Sequence, residues 1–430
     1  MQRVAAIVNP MPDTRPPPVP RTACVVGGGP AGAVSAAVLA RNGWQVTLVE
    51  RQPLPRTKCC GECLVPRAAA WLAKLGLGDA LEQARAGSTR EVRMLDARAG
   101  NAHPVWTHAF AGQPGVIVPR AAFDAALRDG ARRAGAAIHA GRGAKLIHAG
   151  GDGGAQVGGR VAGGALATSA SADGALVGAT AVVTITALND PSVAPRDVHF
   201  DLVVAADGVG SAIARAAGLA PTTTGSRAGW SFTFEHCTDD HTLAPAGTIE
   251  LILFGSAYLG LVRRGHVVHM AAIVERGDRW PSAPAEALRM MATRAPQLAR
   301  FLAHYEASQP LPALEAACGP LPWQPRAVTA GRVALVGDAA GYAEPYTGEG
   351  MGWAIEGAML LGECFRDGWT AAAAAEYQRR WRATVGRAQT HNLRVGMVLR
   401  GGRVAAHATR AAVKLAPWAA RRASEIVVGA

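Results

Sequence analysis

Gly27-Gly28-Gly29-Pro30-Ala31-Gly32 spells GxGxxG, and the acid Glu50 follows 18 residues after Gly32. That spacing suits a dinucleotide. Gly27 permits a tight turn, Gly29 lets the backbone approach a pyrophosphate, and Gly32 lets a helix pack closely on the preceding strand. The helix opened by Pro30 and Ala31 would turn free N–H groups and its positive dipole end toward the phosphates. Glu50 could accept hydrogen bonds from ribose hydroxyls, with Arg51 beside it as a further contact.

Two later stretches repeat the theme. Asp201 to Arg215 reads DLVVAADGVGSAIAR, and Gly331 to Gly352 reads GRVALVGDAAGYAEPYTGEGMG. Each is a buried strand ending in a small-residue turn with one aspartate: Asp207 before Gly208, and Asp338 after Gly337. Alone, either is an ordinary turn. With the first motif, they outline one cofactor site at a sheet edge, where an aspartate can hold a sugar hydroxyl.

Between Arg56 and Pro66 runs RTKCCGECLVP. Cys60-x-x-Cys63 permits dithiol chemistry beside a redox cofactor. Such chemistry would need a second nucleotide site to supply electrons, however, and no second GxGxxG follows a strand here. Inert packing of these thiols is the plainer reading. No metal site is expected, since no second Cys/His pair stands at a supporting interval.

The elements that must position these residues follow from the pattern. Thr22 to Gly27 and Gln45 to Glu50 read as strands and Ala31 to Asn42 as a helix, a βαβ unit that implies a parallel sheet. Arg67 to Leu75 behind Pro66, and Arg120 to Ala134, read as helices. Alternating runs at Thr248 to Phe254, Tyr258 to Val262 and Val267 to Val274 suit an antiparallel sheet. Arg332 to Val336 returns to a buried strand. The expected fold is α/β, a Rossmann-like domain interleaved with an antiparallel substrate domain and followed by C-terminal helices. Its divisions are a flexible leader over 1–21, a cofactor domain over 22–226 with a Gly-rich insertion at about 149–178, a substrate domain over 227–330, the rest of the cofactor domain over 331–376, and a basic helical region over 377–430.

The 430 residues, 49% hydrophobic and 18% charged, exclude disorder throughout. Seven scattered cysteines make no disulfide framework and point to a reducing, cytoplasmic setting. No stretch approaches the ~20 apolar residues of a membrane span. The net charge of +12 is uneven: from Tyr377 onward stand eleven Arg or Lys against Glu425 alone, so ten of the twelve charges belong to the tail. A nucleic-acid partner is therefore not expected. Contact with an anionic membrane or acidic partner would belong to the tail, although a solvated helix covering the cofactor domain explains it more simply.

The three separated motifs, in this order over about residues 22 to 360, resemble FAD-dependent oxidoreductases of the p-hydroxybenzoate hydroxylase and geranylgeranyl reductase superfamily. The resemblance implies a glutathione-reductase-type fold with one non-covalent FAD. The first motif would hold the ADP half, and Asp207, Gly208, Gly337 and Asp338 the rest. Pro345, Gly348, Gly350 and Met351 would place backbone N–H groups at the flavin pyrimidine edge. Arg120 falls on the family's R-x-x-[FL]-x-x-x-L helix, where an arginine contacts the cofactor. The Arg56 to Glu62 stretch is similar to the R-x-K-x-C-G-[DE] of reductase-like members, so Lys58, Cys60 and Gly61 would lie along the cofactor and Cys60 and Glu62 by the reacting ring.

The substrate would lie between the antiparallel sheet and the flavin, where Tyr258, on a strand resembling one of the reductase branch, is the preferred pocket residue. Trp230, Phe232, Phe254, His266 and His269 come from the same candidate strands, and each is more simply read as core or surface. The resemblance implies an NAD(P)H-dependent monooxygenase, hydroxylating an aromatic or polyketide-like secondary metabolite through a flavin C4a-hydroperoxide. A flavin ene reductase acting on an isoprenoid or lipid-like substrate is the alternative, and Cys60/Cys63 dithiol oxidoreduction or a non-enzymatic flavoprotein stand behind it. The tryptophan-rich motif of flavin halogenases is missing from Gly229 to Phe232.

Overall fold

The computed structural model describes residues 21–99, 104, 106–110, 112–150, 180–221, 225–237, 243–277, 280–343 and 348–400. Most of the leader, nearly all of the Gly-rich insertion, Pro345 and the tail beyond 400 lie outside the described residues. A six-stranded sheet runs in the order Thr329–Ala330, Val333–Leu335, Leu202–Ala205, Thr22–Val26, Gln45–Glu50, Ala137–Ala140, parallel except for its first pair. Its central strands, such as Leu202–Ala205, are buried along their whole length. They read as continuous apolar runs because elements pack on both faces.

The Pro30–Arg41 helix packs between the helices Arg120–Arg133 and Gly350–Cys364. Nearly every side chain on it is buried, which is why its sequence is Ala-rich rather than two-faced. The approach to its neighbour is close enough that a Cβ on Gly362 would stand 2.0 Å from Val38 Cγ1. A three-stranded antiparallel sheet, Arg142–His148, Ala181–Ala187 and Arg196–Phe200, adds Leu146, Val183 and Phe200 to the same core.

The second layer is a seven-stranded sheet in the order Ala316–Leu321, Arg227–Phe234, Val267–Glu275, Tyr258–Arg264, Thr248–Leu253, Glu91–Asp96, Trp106–Ala109. It is antiparallel except where Thr248–Leu253 pairs parallel with Glu91–Asp96. The expected boundary at 227 therefore needs correcting, because Glu91–Asp96 and Trp106–Ala109 belong to this sheet although they precede that boundary by more than a hundred residues in the chain. Period-two alternation divides its faces. Trp230, Phe232, Phe254, Leu259, Leu261 and Met270 join the core formed with helices Pro284–Ala292 and Pro296–Glu306. Leu251, Leu253, Tyr258 and Ile273 form a separate cluster on the other side.

The C-terminal helical region begins at Ala371 rather than 377, and a π-helical turn at Arg382–Gly386 joins Ala371–Trp381 to Arg387–Arg400. Tyr377 Oη donates to Leu335 O at 2.7 Å, and Trp381 and Val385 complete the first core. This described part of the basic region thus covers the parallel-sheet domain. No helix among the described residues is long and apolar enough to cross a membrane.

Candidate functional site

The three turns meet at the edge of the parallel sheet. Gly27 has φ +105°, and a Cβ there would stand 2.3 Å from Ala206 O, in the turn that leads to Asp207. A Cβ on Gly32 would fall 1.8 Å from Gly27 O and 3.2 Å from Ala206 Cβ, and one on Gly337 2.6 Å from Ala31 Cβ. Each approach needs a missing side chain, and together they bring residues 27–32, 205–208 and 337–338 into one place. The N-terminus of the 12-residue helix behind Pro30 has no side-chain cap, which leaves its first N–H groups for an anion.

Glu50 is buried at the end of its strand, where Oε2 accepts from Gly28 N at 2.7 Å and Oε1 from Gln52 N at 2.9 Å. Arg51 is exposed. The guanidinium that enters the site is that of Arg56, 3.5 Å from Glu50 and 3.1 Å from Asp124, with Nη2 only 2.6 Å from where a Cβ on Gly29 would be. Arg120, buried, pairs with Asp124 through two bonds of 3.1 and 3.0 Å. Burial alone would lower its pKa, but Asp124 and the Cys60 thiol outweigh that and hold the guanidinium charged. Arg128 Nη1 donates to Gly28 O at 3.0 Å. Arginines therefore ring the end of the site beside Gly28 and Gly29.

The two aspartates are used differently. Asp207 turns both oxygens onto its own chain, accepting from Ser211 Oγ at 2.5 Å and from Ala212 N and Ile213 N at 2.8 and 3.3 Å. Burial raises its pKa against those bonds. It is engaged in holding the turn around Gly208, which has φ +85°. Asp338 reaches outward and pairs with Lys58 Nζ at 2.5 Å, and that ammonium also lies 3.9 Å from the Cβ position of Gly208. The lysine thus stitches the second and third turns to the loop after Glu50.

That loop continues against the seven-stranded sheet. Cys60 Sγ accepts from Glu62 N at 3.4 Å, and Cys60 O lies 2.7 Å from His269 Nε2. Glu62 is buried with φ +56° and turns inward, accepting from Arg120 N at 3.1 Å, with Arg264 and His269 at 3.7 and 3.9 Å. Its surroundings are those of a carboxylate that anchors a helix start. Cys63 is buried, its thiol on Gly61 O, and burial pushes that thiol well above the usual range. Beyond the loop, Tyr258 is buried with Leu251, Leu253 and Ile273, and Met94, Val209, Cys318 and Tyr342 pack against them partly exposed. Arg227 lies over the Tyr258 ring at 5.6 Å.

The Gly350–Cys364 helix begins without a side-chain cap, after Gly348 at φ +71°. Met351 is buried in the first core. Trp353 Nε1 and Glu349 Oε1 are buried without a partner, and a Cβ added at Gly350, or at the exposed Gly61, would meet nothing within 4 Å beyond its own neighbours in the chain. Burial pushes the Glu349 carboxyl up to about 7, against the pull of Arg67. Open room at two glycines, uncapped helix starts, orphaned polar atoms and a ring of arginines fit an elongated anionic dinucleotide such as FAD.

Three participants are not among the residues that the motifs single out. Asp124 stands four residues after Arg120, a helical pairing that could have revealed it. Tyr342 reaches the site through its bridge to Trp323 and Cys318 through its edge strand, packing for which no local signal exists. His269, on one of the candidate strands of the substrate sheet, is buried with Nε2 2.7 Å from Cys60 O.

The profile of the FAD binding domain family matches residues 21–252. The menaquinone reductase of Mycobacterium tuberculosis is 37% identical over 124 residues, 29% of this chain and 30% of that protein, so the chain aligns with less than a third of its length. The kynurenine 3-monooxygenase of Xanthomonas euvesicatoria pv. vesicatoria is 28% identical over 376 residues, 81% of this chain and 72% of that one. Among solved structures, HpxO of Klebsiella pneumoniae in complex with FAD and uric acid shares the fold at a TM-score of 0.66 and 21% identity, covering 91% of this chain and 92% of that one. Converging turns, an open dinucleotide cradle and a family match over more than half the sequence agree, and the chain belongs to the FAD binding domain family.

Proposed function

We propose that this chain is an FAD-dependent, NAD(P)H-consuming monooxygenase acting on an aromatic small molecule. The observation that carries the reading is the apolar cluster of Leu251, Leu253, Tyr258 and Ile273, facing Val209 and Tyr342 of the cofactor turns. A flat apolar substrate held there would be shielded from water and placed against the cofactor. Bound FAD would supply electron transfer from nicotinamide and activation of oxygen. The chain's own part is to bind and orient. Gly27, Gly29 and Gly32 with Arg56 and Arg120 would receive the ADP half, Lys58 and Asp338 the ribityl region, and the Gly350 helix start the ring edge. Tyr258 would set substrate orientation, and the likeness to kynurenine 3-monooxygenase over 81% of this chain supports this class.

A second reading is favoured by one observation, the 37% identity to menaquinone reductase over 124 residues. It would make the chain a flavin reductase of a carbon–carbon double bond in an isoprenoid or lipid-like substrate, with Cys60 beside the ring. Dithiol chemistry of Cys60 with Cys63 gains no support from a Cys63 thiol buried on Gly61 O. The deciding experiment follows NAD(P)H oxidation across a substrate library with and without oxygen. The monooxygenase reading expects an aromatic compound to stimulate coupled consumption of NAD(P)H and oxygen. Anaerobic turnover of an alkene would support the reductase instead.

A further inference from the structure

The last two helices carry their positive charge unevenly. On Ala371–Trp381, Arg379 is paired with Glu376 at 2.6 Å and Arg380 with Glu363 at 2.5 Å. On Arg387–Arg400, Arg387 and Arg394 are exposed, and neither has an ion-pair partner among the described residues. With Thr390 and His391 they occupy positions i, i+3, i+4 and i+7, which puts all four on one helix face. Gln389 and Asn392 are buried on the opposite face, where Gln389 Nε2 donates to Gly341 O at 2.7 Å.

The basic face borders a pocket of about 390 Å³, which Gln324, Arg382 and the buried Trp381 also line. The π-helical turn Arg382–Gly386 shapes it, winding wider than an α-turn between Trp381 and the basic face. Gly386 passes so close to the indole that a Cβ there would stand 3.0 Å from Trp381 Cζ3. Arg382, on the same turn, is steadied by Nη2 donating to Arg326 O at 3.5 Å. Three guanidinium groups and an imidazole therefore surround a hollow in which no carboxylate stands among the described lining residues. Like charges gathered in this way repel one another until an anion enters between them.

Thr390 Oγ1 is engaged by Gly386 O at 2.8 Å, so the donors that face a ligand are those of the arginines, Gln324 and His391. Guanidinium forks match phosphate oxygens two at a time, and a pocket of this volume takes a small organic ligand rather than a bare ion. Gln324 also reaches inward, donating from Nε2 to Tyr342 O at 3.4 Å, and Tyr342 packs against the apolar cluster that holds Tyr258. One hydrogen bond thus joins the pocket to the substrate face.

We propose that this pocket is a phosphate site separate from the flavin cradle, where the Arg387 and Arg394 guanidinium groups hold the phosphates of a nucleotide. The identity of that nucleotide as NAD(P)H rests on the monooxygenase reading, whereas the site itself rests on the charge and shape of the pocket.

The full-length chain, loaded with FAD so that the first dinucleotide site is filled, is titrated calorimetrically with ADP and with inorganic pyrophosphate. Wild type should bind both, more weakly as salt rises. Arg387→Gln combined with Arg394→Gln should weaken both by about tenfold or more, with flavin content and melting temperature unchanged. Arg379→Gln, outside the pocket, should bind as wild type does. The double variant should also raise the KM for NAD(P)H without changing reduction of the flavin by dithionite. No binding of either ligand by wild type, equal affinity in the double variant, or a loss that Arg379→Gln reproduces would overturn the proposal. So would binding only to vesicles containing phosphatidylglycerol, which would mark a membrane-facing surface instead. Turnover of NAD(P)H with no arginine-dependent ADP binding defeats the site and spares the reaction, and arginine-dependent ADP binding without NAD(P)H turnover does the reverse.

Discussion

Lys58 Nζ and Asp338 Oδ2 stand 2.5 Å apart, joining the loop after Glu50 to the turn that follows strand Val333–Leu335. Both side chains are partly exposed, at 30% and 17%, so the pair does little for global stability. Its consequence is local, because it ties the loop that leads to Gly61 to the turn at Asp338 and lies 3.9 Å from the Cβ position of Gly208. Lys58→Met should therefore leave the melting temperature nearly unchanged and weaken FAD binding by about tenfold, the equivalent of ~1.4 kcal/mol. Fluorescence titration of the apoprotein with FAD measures it.

Gly32 sits where a helix crosses a strand turn with no room for a side chain. In Gly32→Ala the new Cβ would be 1.8 Å from Gly27 O, a backbone atom that cannot rotate away. Overpacking of this kind costs about 1–3 kcal/mol, and the displaced turn is the one expected to receive pyrophosphate. The variant should melt lower than wild type and purify without bound flavin, as thermal denaturation and the visible spectrum will show.

Asp124 is buried between Arg120 and Arg56. Asp124→Asn keeps the shape but removes the charge that compensates two guanidinium groups. Breaking a buried pair on one side costs about 3–5 kcal/mol. Urea unfolding should show a loss in that range. Asp124→Asn combined with Arg120→Met should recover part of it.

Glu250 is buried on the helix-packed face of the seven-stranded sheet, and burial pushes its carboxyl from 4.5 up to about 7, partly opposed by the Ala244 N–H and by Arg93. The folded state then holds the proton more tightly than the unfolded chain between those values. Stability must fall as pH rises through that window, and the cost is fully present above about pH 7. At ~1.4 kcal/mol per pKa unit the ceiling is about 3 kcal/mol. Glu250→Gln should be more stable than wild type at pH 8 by about 1–3 kcal/mol and equal to it near pH 4, measured by melting curves across pH.

The parallel-sheet half of the molecule was legible because its signals are local. Thr22–Val26, Pro30–Arg41 and Gln45–Glu50 lie within a residue of where apolar runs and glycines put them, and the turns between them converge as expected. The seven-stranded sheet was legible only in its long hairpins. Glu91–Asp96 joins it through a parallel pairing with a strand more than 150 residues later, and no periodicity within six residues announces a partner so distant. The site shows the same division. Glycine turns declare themselves by spacing, whereas nothing in the spacing announces that Asp207 accepts from Ser211, Ala212 and Ile213 of its own turn. Likewise Tyr342 and Cys318 act through tertiary packing that their neighbours in sequence do not encode.

The most direct measurement is calorimetric titration of FAD into the apoprotein and into Gly350→Ala, where the added methyl meets no protein atom within 4 Å. The account predicts one FAD per wild-type chain. It predicts at least about tenfold weaker binding in the variant, with unchanged melting of the apoprotein, because the methyl would occupy cofactor space alone. Failure of the wild type to bind FAD, or equal affinity in the two proteins, would contradict it.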